Sequence, residues 1–174
     1  MTENALDDAE AAAWVRLAAL VELLPGVLDS QLRRDASLTH FEYLTLAMLD
    51  EVPDHVLRMS TLAARTNATL PRLSHVVSRL EDRGLVQRRP CPTDGRASNV
   101  ELTQAGEDVY RDATPGHVAT VRRAVFDVLD RDQVHQVATI AESVLRRIDP
   151  DGTMTALCRR PAPGRAEPVR TDPA

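Results

Sequence analysis

The stretch from residue 70 to 103 constrains the fold of this chain more than any other part of the sequence. It begins with a helical pattern that places its apolar residues on one face: Leu70, Leu73, Val76, Val77 and Leu80. Gly84 follows at a position where glycine commonly ends a helix. Two β-prone runs, Val86–Arg89 and Ser98–Leu102, then flank a loop that contains Asp94, Gly95 and Arg96. The sequence therefore predicts a helix followed by a two-stranded hairpin.

The polar face of this helix carries side chains that hydrogen-bond to base edges and phosphates: Arg72, Ser74, His75, Ser78 and Arg79. Arg96 falls at the hairpin tip, where a guanidinium group fits the negative potential of a narrow minor groove. Asp94 lies two residues earlier and can orient the loop by pairing with a basic neighbour. The pattern predicts a reading helix in the major groove of DNA and a wing in the minor groove.

The charge distribution supports this interpretation. The chain has a net charge of -5, but residues 58–96 hold eight arginines against three acidic residues, a local net charge of +5. Residues 1–57 carry -8 and residues 97–174 carry -2. A basic segment within an acidic chain is typical of a protein in which only one part meets phosphates.

The remaining sequence is predominantly helical in pattern. Apolar stripes predict a helix over about 7–34, kinked or divided at Pro25-Gly26, and further helices over 41–51, 58–66, 103–130 and 134–148. We expect four regions: N-terminal dimerisation helices (1–36), a reading unit (37–103), C-terminal dimerisation helices (104–149) and a disordered tail (150–174). The acidic N-terminus and the lack of a long uninterrupted apolar run predict a cytoplasmic protein without a membrane partner.

Catalytic and metal chemistry are not indicated. The five histidines form no pair at metal-ligand spacing, and we expect no metal, no cofactor and no enzymatic activity. Cys91 lies in the predicted hairpin without a nearby second cysteine, which argues against a redox switch. Trp14, His40 and Tyr43 are weak candidates for a ligand pocket, with ordinary packing the stronger interpretation for each.

Three motifs resemble the MarR family of winged helix-turn-helix regulators. They are L-T-H-F-E-Y-L-T-L-A-M-L at 38–49, V-S-R-L-E-D-R-G-L-V at 77–86 and D-G-R-A-S-N-V-E-L-T-Q-A-G at 94–106. The last contains the strand, D-x-R turn and L-T-x-x-G ending that are among the family's most specific features. The resemblance extends over roughly residues 10–148.

The resemblance implies a mainly α fold, a winged helix-turn-helix domain with dimerisation helices at both ends. It also implies a homodimer that binds a pseudo-palindromic operator in double-stranded DNA, commonly as a repressor released by a small aromatic ligand. The apolar stripes at 17–28 and 134–148 independently favour a dimer, since one small domain cannot cover both. Two alternatives stay open: a winged-helix module that binds an acidic protein without specific DNA binding, and a PadR-like regulator.

Overall fold

The computed structural model describes residues 5–91 and 94–154, apart from the side chains of 94–96. Its elements are α1 (Asp8–Ala36), α2 (His40–Asp50), β1 (Val56–Arg58), α3 (Met59–Arg65), α4 (Leu70–Asp82), β2 (Val86–Cys91), β3 (Asp94–Leu102), α5 (Gln104–Ala124), a 3-10 turn (Phe126–Val128) and α6 (Arg131–Ile148). The predicted mainly α winged fold is confirmed.

Side-chain caps mark the starts of α2 and α4. Thr39 and Glu42 form a reciprocal capping box at the start of α2, so two backbone N–H groups that lack helical partners are bonded. Thr69 caps α4, and Pro71 occupies its first turn, where a missing N–H costs nothing. Gly84 has a φ of 71°, a left-handed conformation that ends α4 and turns the chain into β2.

The sheet contains three antiparallel strands in the order β1-β3-β2. Leu57 of β1 pairs with Val100, and Val86 of β2 pairs with Leu102. We predicted only two short strands, and this is wrong. The sheet has a third strand, β1, and the two predicted strands are longer than expected. β2 continues to Cys91, and β3 begins at Asp94. A three-residue strand is too short to show an alternating pattern, so its sequence gives no signal.

The core lies between α2, α3, α4 and the sheet. Its fully buried side chains include Leu32, Leu38, Leu46, Met48, Leu49, Leu62, Leu73, Val77, Leu80 and Val100. Leu70 is an exception among the residues predicted to face inward, since 51% of its surface is exposed. It is the first residue of α4.

We predicted that α1 is either kinked or divided at Pro25-Gly26. The helix continues through Pro25, so the division into two shorter helices is wrong. Proline removes one hydrogen bond, to the carbonyl of residue i−4, which here is Val21. Pro115 is accommodated within α5 as well, although α5 ends at Ala124 rather than near residue 130.

The two outer helices bury little within one protomer. None of the residues of α6 is buried, and α1 buries only Leu28, Gln31 and Leu32 near its C-terminal end. Exposed apolar side chains follow both helices: Val15, Leu17, Leu20, Val21, Leu23 and Val27 on α1, and Val137, Ile140, Val144 and Ile148 on α6. By length and composition alone α1 could cross a membrane, the one such helix in the described part.

The predicted tail begins inside the described region. Asp149 accepts hydrogen bonds from the backbone N–H groups of Thr153 and Met154, at 2.9 and 3.1 Å. Residues 155–174, the greater part of the tail predicted to be disordered, lie outside the described residues.

Candidate nucleic-acid interface

The reading helix α4 owes its orientation to its apolar face. Leu73, Val76, Val77 and Leu80 are buried against the core, which fixes the opposite face toward solvent. Arg72, Ser74, His75 and Arg79 are exposed on that face, and Ser78 is half-buried. The structure thus brings all five predicted contact residues of the helix to one surface.

Arg72 is held near the N-terminal end of this surface by an aromatic ring. Its guanidinium carbon lies 4.5 Å from the centroid of the Phe41 ring, a cation–π distance. Phe41 and Arg72 line an open cleft of about 360 Å³ together with Arg33 and His75. The contact limits the positions the arginine adopts while leaving its N–H groups exposed.

Arg79 is paired with a buried carboxylate. Its Nε donates to Glu42 Oε1 at 3.1 Å, and the Glu42 side chain is only 6% exposed. Burial alone raises the pKa of Glu42, but hydrogen bonds from Thr39 and the positive charge of Arg79 outweigh it and lower that pKa. Arg79 therefore ties α4 to the N-terminus of α2 and still exposes more than half of its side chain.

Two further arginines lie beside this pair and were not among the predicted contact residues. Arg83 donates from Nη1 to the Ser37 carbonyl at 3.0 Å, and Arg33 projects from the last turn of α1. Both line a cleft of about 560 Å³ with Arg79. The charge count over 58–96 includes Arg83, but only the fold brings Arg33 to the same surface.

Arg88 of β2 connects the wing to the reading helix. Its Nη1 donates to Glu81 Oε2 at 2.7 Å, and its backbone N–H donates to Glu81 Oε1 at 2.8 Å. Its Nη2 donates to the Ser74 carbonyl at 2.8 Å and to Ser78 Oγ at 3.0 Å. One guanidinium group therefore hydrogen-bonds to three residues of α4: Ser74, Ser78 and Glu81.

The wing tip carries the last two predicted contact residues, Asp94 and Arg96. The side chains of Asp94 and Arg96 lie outside the described residues, so their predicted roles in orienting the wing and entering the minor groove stay predictions. The strands that carry the tip are joined by an ion pair between Arg89 and Glu101.

Two of the three weak ligand candidates come together in an aromatic cluster between α2 and α5. Tyr43 hydrogen-bonds to Thr114 Oγ1 at 3.1 Å, and its ring lies 4.4 Å from that of His117. His40 stacks on His117 with centroids 6.0 Å apart, and Tyr110 completes the cluster 5.2 Å from Tyr43.

Burial sets the protonation of this cluster. It raises the pKa of Tyr43 to about 12 and lowers the pKa of His40, although the carboxylate of Asp29 acts in the opposite direction. Burial, with a smaller effect of the neighbouring His40, also lowers the pKa of His117. Both imidazoles are therefore held neutral at physiological pH.

Trp14 does not join this cluster within one protomer. It is 59% exposed on α1, fifteen residues before Asp29, whose carboxylate accepts a hydrogen bond from the His40 backbone. At about 1.5 Å per helical residue, this separates Trp14 from His40 by roughly 20 Å. Within the described ranges, the acidic, cysteine and histidine side chains form no group of three that could hold a metal ion.

A capped reading helix, a short preceding helix and a three-stranded wing define a winged helix-turn-helix protein. A family model described as the MarR family matches residues 37–97. The chain is 40% identical to Sco3205, a MarR family transcriptional regulator from Streptomyces coelicolor whose crystal structure contains DNA. That match covers 82% of this chain and 89% of Sco3205, with a TM-score of 0.78.

Two other solved structures extend the comparison. AbsC, a MarR family transcriptional regulator from the same organism, is 31% identical, with 84% of this chain and 99% of AbsC covered and a TM-score of 0.78. CouR from Rhodococcus jostii RHA1, bound to p-coumaroyl-CoA, shares the fold at 21% identity, with coverage of 75% and 86% and a TM-score of 0.63. The chain belongs to the MarR family of transcriptional regulators.

Proposed function

We propose that this protein represses transcription by binding a pseudo-palindromic operator as a homodimer. The observation that carries the proposal is the polar face of α4, which the core turns outward and which Arg33 and Arg83 flank with further positive charge. The DNA complex of Sco3205, which is 40% identical to this chain, supports the same mode of action.

The apolar surfaces of α1 and α6 support the homodimer. Both helices expose rows of Leu, Val and Ile that water would otherwise solvate, and a second copy of the chain would cover them. This accounts for the apolar character of α1 without a membrane and is consistent with a cytoplasmic location. A two-fold dimer presents two reading helices about one DNA turn apart, which matches an inverted repeat.

Each residue role is part of the proposal. The major groove is contacted by five side chains of α4: Arg72, Ser74, His75, Ser78 and Arg79. Arg96 enters the minor groove. Asp94 orients the wing. Arg33 and Arg83 bind phosphates at the flank of the site. These two phosphate contacts per protomer, four in the dimer, would give a slope of log K against log salt of about −4.

A small aromatic ligand that releases the operator is the second element of the proposal. His40 and Tyr43 belong to the aromatic cluster that joins α2 of the reading unit to α5 of the outer helices. A ligand bound there would change the angle between those parts. Trp14 would reach this aromatic cluster only from the partner protomer of the homodimer.

Selection of random duplex DNA on the purified protein at physiological salt tests the function. The expected result is an inverted repeat with half-sites about one helical turn apart. An unselected pool from folded dimer would contradict sequence-specific binding and favour the alternative, a winged-helix module that binds an acidic protein. Light scattering on the same sample tests the dimer independently.

A further inference from the structure

We propose that Arg88 is a positioning residue for sequence recognition, because it directs the hydroxyl of Ser78, and with it that of Ser74, to act as hydrogen-bond donors toward purine N7 atoms. The inference rests on the proposed function. It goes beyond it by assigning a role to a wing residue that acts through the reading helix and by naming the base atoms that the serines recognise.

Arg88 occupies the acceptor to which the Ser78 hydroxyl would otherwise donate. A serine hydroxyl commonly donates to the backbone carbonyl four residues earlier, and for Ser78 that carbonyl belongs to Ser74. The helix uses one lone pair of the Ser74 carbonyl for the Ser78 N–H. Arg88 Nη2 donates to the same oxygen at 2.8 Å and uses the second lone pair. The Ser78 hydroxyl proton is therefore excluded from its usual acceptor.

The oxygen of the Ser78 hydroxyl is itself an acceptor for Arg88. Arg88 Nη2 also donates to Ser78 Oγ at 3.0 Å, a charge-assisted hydrogen bond. Ser74 Oγ lies 3.4 Å from that nitrogen, a longer contact. A hydroxyl that accepts from a guanidinium group becomes a better donor, because the bond polarises its own O–H. Ser78 is consequently set as a donor, and Ser74 more weakly so.

Hydrogen-bond donors recognise acceptors on the base edges. In the major groove, adenine and guanine present N7 as an acceptor and thymine presents O4, whereas cytosine presents an amino donor. An unconstrained serine can serve either partner, since its hydroxyl both donates and accepts. The bond from Arg88 restricts this choice, so that the serines discriminate against cytosine and bind N7 where they face a purine.

Glu81 keeps Arg88 in place for this role. Its carboxylate accepts from both the backbone N–H and the Nη1 of Arg88, so the backbone and the guanidinium group are each held at one atom while Nη2 faces the serines. Arg88 and Glu81 expose 29% and 35% of their side chains, and the pair is therefore partly shielded from water.

The test uses a charge-neutral exchange of this pair, Glu81→Gln with Arg88→Met. The methionine retains the apolar stem, and no carboxylate is left unpaired. The matched control is Glu101→Gln with Arg89→Met, which removes the ion pair that the next residue of β2 makes with β3 and makes the same change in charge. Both variants, wild type, Ser78→Ala and Ser74→Ala are titrated with the selected operator, in which single purines are replaced by 7-deazapurines that lack N7.

We expect the wild type and the control to lose roughly tenfold in affinity when N7 is removed at one or two positions in each half-site. The Glu81/Arg88 variant should lose this sensitivity although both serines are present. Ser78→Ala should lose it as well, and Ser74→Ala should lose less. A purely structural contribution of Arg88 would weaken all sequences alike and leave the N7 sensitivity intact.

Four results would overturn the inference: an operator insensitive to N7 removal in the wild type, sensitivity retained in the Glu81/Arg88 variant, sensitivity retained in Ser78→Ala, or sensitivity lost in the matched control. If the Glu81/Arg88 variant does not fold by circular dichroism, Arg88→Lys replaces it. A lysine can pair with Glu81 but lacks the second nitrogen that reaches Ser78, so the same loss is expected. Failure of the wild type to select any motif would instead remove the proposed function, and the inference with it.

Discussion

The substitution Gly106→Ala should strongly destabilise this protein, although alanine is the better helix former. Gly106 lies in the first turn of α5, where its N–H donates to Thr103 Oγ1 at 3.1 Å. A Cβ atom built at this position would lie 2.0 Å from the Leu85 carbonyl oxygen and 2.7 Å from Leu102 Cδ1. The closest obstacle is backbone, which cannot rotate away, so α5 would have to move from the start of the wing.

The expected magnitude is the difference between two effects. Overpacking against rigid neighbours costs about 3 kcal/mol, at the upper end of the usual range, because a 2.0 Å approach lies more than an ångström inside normal contact. Replacing glycine by alanine within a helix returns about 1 kcal/mol. The net loss in the free energy of unfolding is therefore about 2 kcal/mol, or roughly 4–8 °C in Tm for a chain of this size.

Urea denaturation at one fixed protomer concentration measures this change, since the stability of a dimer depends on concentration. Gly26→Ala is the matched control: it makes the same replacement within α1, where a Cβ meets nothing within 4 Å. The control should be neutral or stabilised by up to about 1 kcal/mol. If Gly106→Ala lies within 0.5 kcal/mol of wild type, roughly the spread of neutral surface changes, the steric argument is refuted.

Three further predictions address the site and its support. Arg96→Ala should weaken operator binding and flatten the salt slope of the dimer by about two units, one per protomer, without lowering Tm; an unchanged titration would remove the wing from the mechanism. Folding stability should decline as the pH falls below about 6.5, because burial lowers the pKa values of His40 and His117 and the unfolded chain takes up their protons first; a urea midpoint that changes equally with pH in His117→Gln would contradict this. Tyr43→Phe should cost about 1 kcal/mol by removing the hydrogen bond to Thr114, and an unchanged urea midpoint would show that water replaces it.

The sequence predicted most of the reading unit because its signals are local. The apolar spacing of α4 and the glycine at position 84 each act within a few residues, and both appear in the structure. Strand β1 gave no comparable signal, since three residues cannot display a period. Its strand character comes from pairing with β3, more than forty residues later in the chain.

The site itself was predicted as a surface but not as a network. Helical projection brings Ser74 and Ser78 to one face of α4, yet it does not show that Arg88 reaches both from strand β2. Similarly, the pairing of Arg79 with Glu42 joins residues 37 positions apart and depends on how α2 packs against α4. Long-range contacts of this kind follow from tertiary packing, which periodicity does not encode.

The distribution of buried side chains separates two tasks along the chain. The core of the reading unit is completed within one protomer by residues between Leu32 and Ala113, whereas α6 and the first two-thirds of α1 contribute nothing to it. In the proposed homodimer, changes on the reading helix can therefore alter which operator is read without altering which chains associate. Changes on the two outer helices, which cover each other in that proposal, can likewise prevent related regulators in one cell from forming mixed assemblies, with operator choice preserved.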